Sequence, residues 1–299
     1  MGTVPQSKEA IAKVNGVELA YDTFGDPSDA PLLLVMGLGA QMIRWHEAFC
    51  KLLAGKGYWV VRFDNRDVGN STKFGEAGVP NIMALIQAAQ SGEGVSAPYT
   101  LSDMAGDAVG LLDVLEVEKA HVVGASLGGM IVQTMAIEHP ERIQTMTSIM
   151  STTGESSVST PKPEALAVIT SVAPADREAC IEAEVKKQRI LRGSKYPLDE
   201  AFVRLYAAQA FDRCYYPEGT TRQLAAILAS GSRREKLKSV KLPTLVIHGD
   251  ADPLVPVEGG KDTAASIPGA KLLIIEGMGH DIPVEMAPQI IQAISEHAK

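Results

Sequence analysis

The feature that most constrains this chain is a repeated pairing of two kinds of segment. Short runs of large and β-branched apolar residues are each followed by a longer stretch with helical spacing. The runs are PLLLVMG (31 to 37), YWVVRFDN (58 to 65), AHVVGAS (120 to 126), RIQTMTSIMS (142 to 151), PTLVIHGD (243 to 250) and AKLLIIEG (270 to 277). Each has the length of a strand buried on both faces, which is what a mostly parallel central sheet flanked by helices requires. The expected fold class is therefore α/β. Ahead of these runs, AKVNGVELAYDTFG alternates on either side of Asn15-Gly16, a dipeptide that favours a tight hairpin. An antiparallel pair is expected at the sheet edge.

Between residues 151 and 241 the pattern changes. STTGESSVSTPKPEAL is rich in Ser, Thr and Pro, and the polar-apolar helical stretches after it contain no strand-like run. So long an interval between two buried strands reads as a helical insertion rather than a connection. The expected organisation is a core of residues 1–150 and 242–299, with residues 151–241 forming a helical cap, or lid, over one end of the sheet. Residues 74–100 have an apolar helical centre and are expected to add a second wall.

Charge and cysteine usage exclude several classes of function. Lys and Arg total 28 against 36 Asp and Glu, a formal charge of -8, so no basic surface is available for nucleic acid. The longest basic cluster, Ser232-Arg233-Arg234-Glu235-Lys236, is interrupted by an acid and reads as a solvated face. The three cysteines, Cys50, Cys180 and Cys214, form no CxxC pair and no metal-ligand spacing. No disulfide framework, metal or cofactor is expected, and a reducing compartment fits. MGTVPQSKEAIAKVNG lacks the apolar centre of a signal peptide, and no run reaches the length of a membrane span. The expectation is a soluble, cytoplasmic protein acting on a small molecule; the composition is compatible with a homo-oligomer.

In a parallel sheet, ligands collect at the carboxyl ends of the strands. There the chain places Gly124-Ala125-Ser126-Leu127-Gly128, between AHVVGA and the helix-like SLGGMIVQTMAIEHP. A tight strand-to-helix turn strains its central residue and demands small neighbours, which Gly124 and Gly128 supply. Ser126 would then stand at a helix start, where the N–H of Leu127 can stabilise a developing negative charge. A neutral serine needs a base. Of the six histidines, His280 lies just past a strand in Gly277-Met278-Gly279-His280. His139 and His297 fall at helix ends, His121 lies inside a strand, and His46 and His248 have no such setting; His248 reads as structural. The imidazole needs a carboxylate. Asp250 and Asp252 both follow PTLVIHG, and Asp252, deeper in the turn before Pro253, is favoured. Serine, acid, histidine is one of the established chain orders of such a triad. A second oxyanion N–H is expected from Leu38 in Met36-Gly37-Leu38-Gly39. A dinucleotide reading of that loop fails, because Gly37-Leu38-Gly39-Ala40-Gln41-Met42 lacks the third glycine. Met36, Leu38, Met42, Leu127, Met150 and Met278 are expected near the site, Met36, Met42, Met150 and Met278 as pocket wall, favouring an uncharged acyl or alcohol group.

Taken together these motifs resemble the α/β-hydrolase fold superfamily. The resemblance runs over nearly the whole chain: MGLG after the third strand, FDNRDVGNST (63 to 72) after the fourth, GASLG, HGDADPLVP and GMGH, in that order. Within the superfamily, FDNRDVGNST together with VMG is similar to a bacterial group that includes aclacinomycin methylesterase, which cleaves a methyl ester from a polyketide. The resemblance implies a triad of Ser126, His280 and Asp252, oxyanion amides at Leu38 and Leu127, and a structural role for Asp64 and Arg66 in pinning the loop beside the site. Many members carry histidine before the oxyanion glycine, where this chain has Met36. The expected function is a serine carboxylesterase that cleaves small to medium, largely apolar esters through an acyl-enzyme on Ser126. The same triad supports perhydrolysis, lactone opening or carbon-carbon hydrolysis as alternatives. Haloalkane dehalogenases and epoxide hydrolases are disfavoured because they use a carboxylate at the position of Ser126. A non-catalytic hydrolase-like binding protein is disfavoured by the intact set of Ser126, Asp252 and His280.

Overall fold

Asn15 and Gly16 both adopt positive φ, 46° and 80°, the backbone that a two-residue hairpin turn demands. They join β1 (Ala10–Val14) to β2 (Val17–Phe24), which pair antiparallel at one edge of the sheet. The computed structural model describes residues 4–299. After the hairpin come β3 (Ala30–Val35), β4 (Tyr58–Phe63), β5 (Ala120–Ala125), β6 (Ile143–Ile149), β7 (Thr244–Gly249) and β8 (Lys271–Ile275). The sheet order is β1-β2-β4-β3-β5-β6-β7-β8, and every pair from β4 onward is parallel. The sequence runs 120–126 and 142–151 end as strands at Ala125 and Ile149. The residues that follow, Ser126 and Met150, turn to φ of 56° and 42° and leave the pleat.

The near-continuous apolar strands are explained by burial on both faces. Leu33, Val35, Val61 and Phe63 point to one core cluster, whereas Leu32, Leu34 and Val60 point to the other, as a period of two requires. The first cluster is closed by α3 (Leu101–Val114) and α4 (Leu127–Glu138), which contribute Met104, Ala108, Leu111, Ile131 and Met135. The second is closed by α1 (Glu47–Ala54) and α11 (Ala287–His297) through Phe49, Leu53, Ile290, Ile291 and Ile294. Leu32, Leu33 and Leu34 are fully buried, and truncation of any one to alanine costs about 2–5 kcal/mol. Helix α10 (Val257–Ser266) packs on β7 and β8.

From β6 to β7 the chain passes through five helices and no strand: α5 (Pro163–Ile169), α6 (Arg177–Leu191), α7 (Glu200–Arg213), α8 (Pro217–Ser230) and α9 (Arg234–Leu237). Asp176 and Asp199 start α6 and α7 by accepting the N–H of Ala179 and Phe202. This segment meets the sheet layer again before β7, since Leu237 and Val240 belong to the first core cluster. Helix α2 (Ile82–Ser91), from the apolar centre of residues 74–100, packs against α8. None of the described helices is long and apolar enough to cross a membrane.

Strand order positions the site. The connection from β3 runs to β4 on one side and the connection from β5 runs to β6 on the other, so their loops part above β3 and β5. The register aligns Val35 with Gly124, Ala125 with Ile149, Ile149 with Ile247 and Gly249 with Ile275. The loops after β3, β5, β6, β7 and β8 therefore leave the sheet at one level.

Candidate active site

Ser126 stands between β5 and α4 with φ 56° and ψ −118°, a strained conformation for a residue bearing a side chain. Two close approaches hold it there. A Cβ at Gly124 would lie 2.1 Å from the carbonyl oxygen of Gly128, and one at Gly128 would lie 2.0 Å from that of Val35. Only glycine at both positions lets α4 leave so steeply beneath the end of β3. The Ser126 N–H donates to the Ile149 carbonyl at 2.9 Å, and the Ser151 hydroxyl donates to the Ser126 carbonyl at 2.8 Å.

The structure brings three separated residues into one hydrogen-bonded path. His280 Nε2 lies 2.9 Å from Ser126 Oγ, and His280 Nδ1 lies 2.7 Å from Asp252 Oδ2. The other Asp252 oxygen accepts the N–H groups of Leu254 and Val255, both at 2.8 Å. That leaves a buried carboxylate fully occupied and fixed in direction. Asp250 goes elsewhere: it is exposed, and its Oδ1 accepts the Gly277 N–H at 2.5 Å. His248 is fully buried beside Asp252, at 3.6 Å, and its Nε2 is 2.8 Å from the Val255 carbonyl. Burial holds its imidazole below the ordinary histidine range, so it stays neutral and braces the turn that carries Asp252.

The His280 loop is clamped from the inserted helices. The His280 N–H donates to the Leu191 carbonyl at 2.8 Å, and Arg192 Nη1 lies 3.3 Å from Asp281 Oδ2. Tyr196 donates its hydroxyl to the Glu276 carbonyl at 3.1 Å. Nothing in the local sequence of GMGH announces these partners.

The loop after β3 abuts the serine: a Cβ at Gly37 would be 3.1 Å from Ser126 Cβ. Leu38 is the next residue, and Leu127 opens α4, so its N–H has no acceptor within the helix. Both line the same cavity as Ser126 and His280. Asn65 donates to the Met36 carbonyl at 2.9 Å. Gln223, fully buried on α8, accepts the Gly39 N–H at 2.8 Å and donates to the Arg66 carbonyl at 2.8 Å. One amide side chain thus ties the inserted helices to both loops.

The segment after β4 is anchored by buried ion pairs. Asp64 accepts the N–H groups of Met42 at 2.7 Å and Asn70 at 2.9 Å and lies 2.7 Å from Arg213 of α7. Arg66 forks onto Asp107 of α3 with both contacts at 2.7 Å. Asp67, absent from the sequence-based reading, is fully buried and receives Arg222 at 2.8 and 2.9 Å and the Tyr99 hydroxyl at 2.7 Å.

Above these loops lies a cavity of about 1450 Å³. Met36 and Met150 are on its wall, but Met42 and Met278 are not. This corrects the sequence-based pocket: Met42 is 1% exposed on the turn Met42–Arg44, and Met278 is fully buried in the second core cluster. An apolar residue near a strand end is drawn into the core as readily as into a pocket, and spacing does not separate the two.

Comparison with known proteins agrees with this architecture. The family described as the alpha/beta hydrolase fold matches residues 30–286. Rhodomycin D methylesterase DnrP of Streptomyces peucetius is 32% identical over 95% of each chain. Rhodomycin D methylesterase DauP of Streptomyces sp. (strain C5) is 31% identical, again over 95% of each chain. Among solved structures, 2-hydroxy-6-oxo-6-phenylhexa-2,4-dienoate hydrolase from Rhodococcus sp. strain RHA1 superposes with a TM-score of 0.75 at 19% identity, covering 99% of each chain. That last likeness bears on the fold.

Proposed function

The chain belongs to the alpha/beta hydrolase fold family, and from that premise we propose that it is a serine carboxylic-ester hydrolase, with Ser126 as nucleophile, His280 as general base and acid, and Asp252 as the orienting carboxylate. The observation that carries the reading is the unbroken path Ser126–His280–Asp252, at 2.9 and 2.7 Å, opening on the large cavity. His280 Nε2 takes the hydroxyl proton as Ser126 Oγ attacks the ester carbonyl carbon. Asp252 accepts the hydrogen bond from Nδ1–H throughout and stabilises the imidazolium without taking its proton. Negative charge then gathers on the former carbonyl oxygen, where the N–H groups of Leu38 and Leu127 are the assigned donors. Each such donor contributes about 2.7–4 kcal/mol to the transition state. Collapse expels the alcohol, which takes the proton from His280 and leaves an acyl group on Ser126. A water, deprotonated by His280, repeats the addition and releases the acid.

Two features bear on the substrate. The relatives at 31–32% identity are named as methylesterases, which favours a small-molecule ester with methanol as the leaving alcohol. The cavity, at about 1450 Å³, is larger than the ~300–1,000 Å³ of ordinary ligand pockets and leaves room for a bulky acyl part. Residues 151–241 act in this reading as the cap that forms the far wall, with Gln223, Arg213 and Arg222 holding it to the loops below.

The test is methanol release from a panel of aliphatic and aromatic methyl esters, run beside Ser126→Ala. Turnover in the native protein and its loss in the variant support the assignment. Equal turnover in both refutes it, and activity confined to lactones or carbon-carbon substrates replaces it.

A further inference from the structure

Arg44 lies on the turn Met42–Arg44, directly after the loop that carries Leu38, and its side chain is about three-quarters buried on the cavity wall. Its Nη1 is buried and has no hydrogen-bond partner. The acid beside it, Glu184 of α6, is 3.9 Å from that nitrogen, beyond hydrogen-bond reach. Glu184 is already occupied by Lys187 and by Gln188 Nε2, the latter at 2.8 Å. Asp281, which also feels the charge of Arg44, is engaged by Arg192 at 3.3 Å. The guanidinium is held in orientation by stacking, its central carbon 4.8 Å from the ring centroid of Tyr206 on α7.

Buried polar groups are nearly always satisfied, and one that is not calls for a specific explanation. A purely structural arginine at this place would reach Glu184. Here the fork is fixed by an aromatic face instead; Glu184 is paired with Lys187 and Gln188, and Asp281 meets Arg192 through Oδ2 while its Oδ1 stays buried without a partner. Arg44 shares the cavity with Ser126 and His280, so whatever fills the cavity meets it.

Building on the ester-hydrolase reading, we propose that Arg44 is a specificity-determining residue that binds an anionic oxygen on the acyl part of the substrate, a carboxylate being the form that fits its planar fork. The walls include the apolar Met36, Met130 and Met150, while the other cationic side chains on the lining, Lys187 and Arg192, are paired with Glu184 and Asp281. With Arg192 engaged by Asp281 and Glu285, the Arg44 guanidinium fixes which end of a large acyl group lies away from the serine. It thereby presents the ester end to Ser126.

The experiment compares monomethyl esters of dicarboxylic acids, six to twelve carbons long, with chain-matched methyl alkanoates, in native protein, Arg44→Gln and Arg44→Lys. The quantity read is the ratio of kcat/KM for the charged ester to that for its neutral match. The native ratio is expected to peak at one chain length and to fall on the order of 10- to 100-fold in Arg44→Gln, the size of a charge-assisted contact. Arg44→Lys is expected to recover part of it. A native ratio that favours the neutral ester at every length overturns the proposal, as does a ratio that Arg44→Gln leaves unchanged. A uniform loss on both series would mark Arg44 as a brace between core and cap and also overturn it. Native protein that releases methanol from neither series refutes the ester-hydrolase reading itself, a result distinct from activity without preference.

Discussion

Gly193, in the connection between α6 and α7, touches no substrate wall, yet its replacement by alanine should cripple the reaction. A methyl there would stand 2.0 Å from the Gly277 carbonyl oxygen and 2.8 Å from the Gly279 nitrogen, both backbone atoms. Bringing the first contact to the 3.0 Å below which real Cβ atoms are essentially never found requires the two segments to part by about 1 Å. His280 is the next residue after Gly279, and its N–H is held by Leu191 from the same turn at 2.8 Å. The displacement therefore reaches the imidazole directly. A shift of about 1 Å in a reacting group costs on the order of 100-fold in rate, while the overpacking costs about 1–3 kcal/mol of stability. Gly193→Ala should thus lower kcat about 100-fold on a p-nitrophenyl ester. Gly94→Ala, where a Cβ meets nothing within 4 Å, serves as the matched control. A kcat for Gly193→Ala within about twofold of the native value would refute the claim that the inserted helices position the base.

Other expectations follow from the same contacts. Asp252→Asn should lose on the order of 10⁴-fold in kcat and Asp250→Asn less than about tenfold, because Asp250 holds only the Gly277 N–H; steady-state kinetics showing the reverse would exchange their roles. Arg222→Met should destabilise the protein by about 3–5 kcal/mol in urea unfolding, since Asp67 would keep a fully buried charge without its partner; an unchanged midpoint would contradict this. Burial holds His121 and His248 below the ordinary histidine value, so the unfolded chain binds more protons than the native one once the pH falls below about 6.5. Stability should accordingly drop from pH 7 to pH 5 and stop falling on this account below the depressed native values. Equal urea midpoints at the two pH values would contradict this expectation.

The parts of the site that were legible in the sequence are those written in consecutive residues. A strand must end in a glycine-flanked turn for Ser126 to be presented, and GASLG says so locally. HGDADP and GMGH likewise follow apolar runs whose β character is plain, and the register then levels their ends. Contacts made across large sequence separations left no such trace. Gln223 reaches Gly39 from 184 residues away, and a glutamine on a helix is unremarkable until the helix is docked. Asp67 sits in FDNRDVGNST beside Asp64 and Arg66, but its buried role depends on Arg222, 155 residues later. Met42 and Met278 were misplaced for the opposite reason: methionine is flexible and apolar, so sequence spacing does not tell a core position from a cavity wall. Arg44 did carry a signal, a lone charge in the apolar stretch QMIRW, whose meaning depended on where Tyr206 and Glu184 arrive.

The most direct test of the central claim is to identify the residue that becomes covalently bound. Native protein would be treated with a serine-directed fluorophosphonate until ester turnover stops, then digested, and the labelled peptide sequenced by mass spectrometry. One equivalent of label on Ser126, with none taken up by Ser126→Ala, is the predicted result. Complete inactivation with the label on any other residue, or full turnover persisting while Ser126 is labelled, would contradict the assignment of Ser126 as the nucleophile.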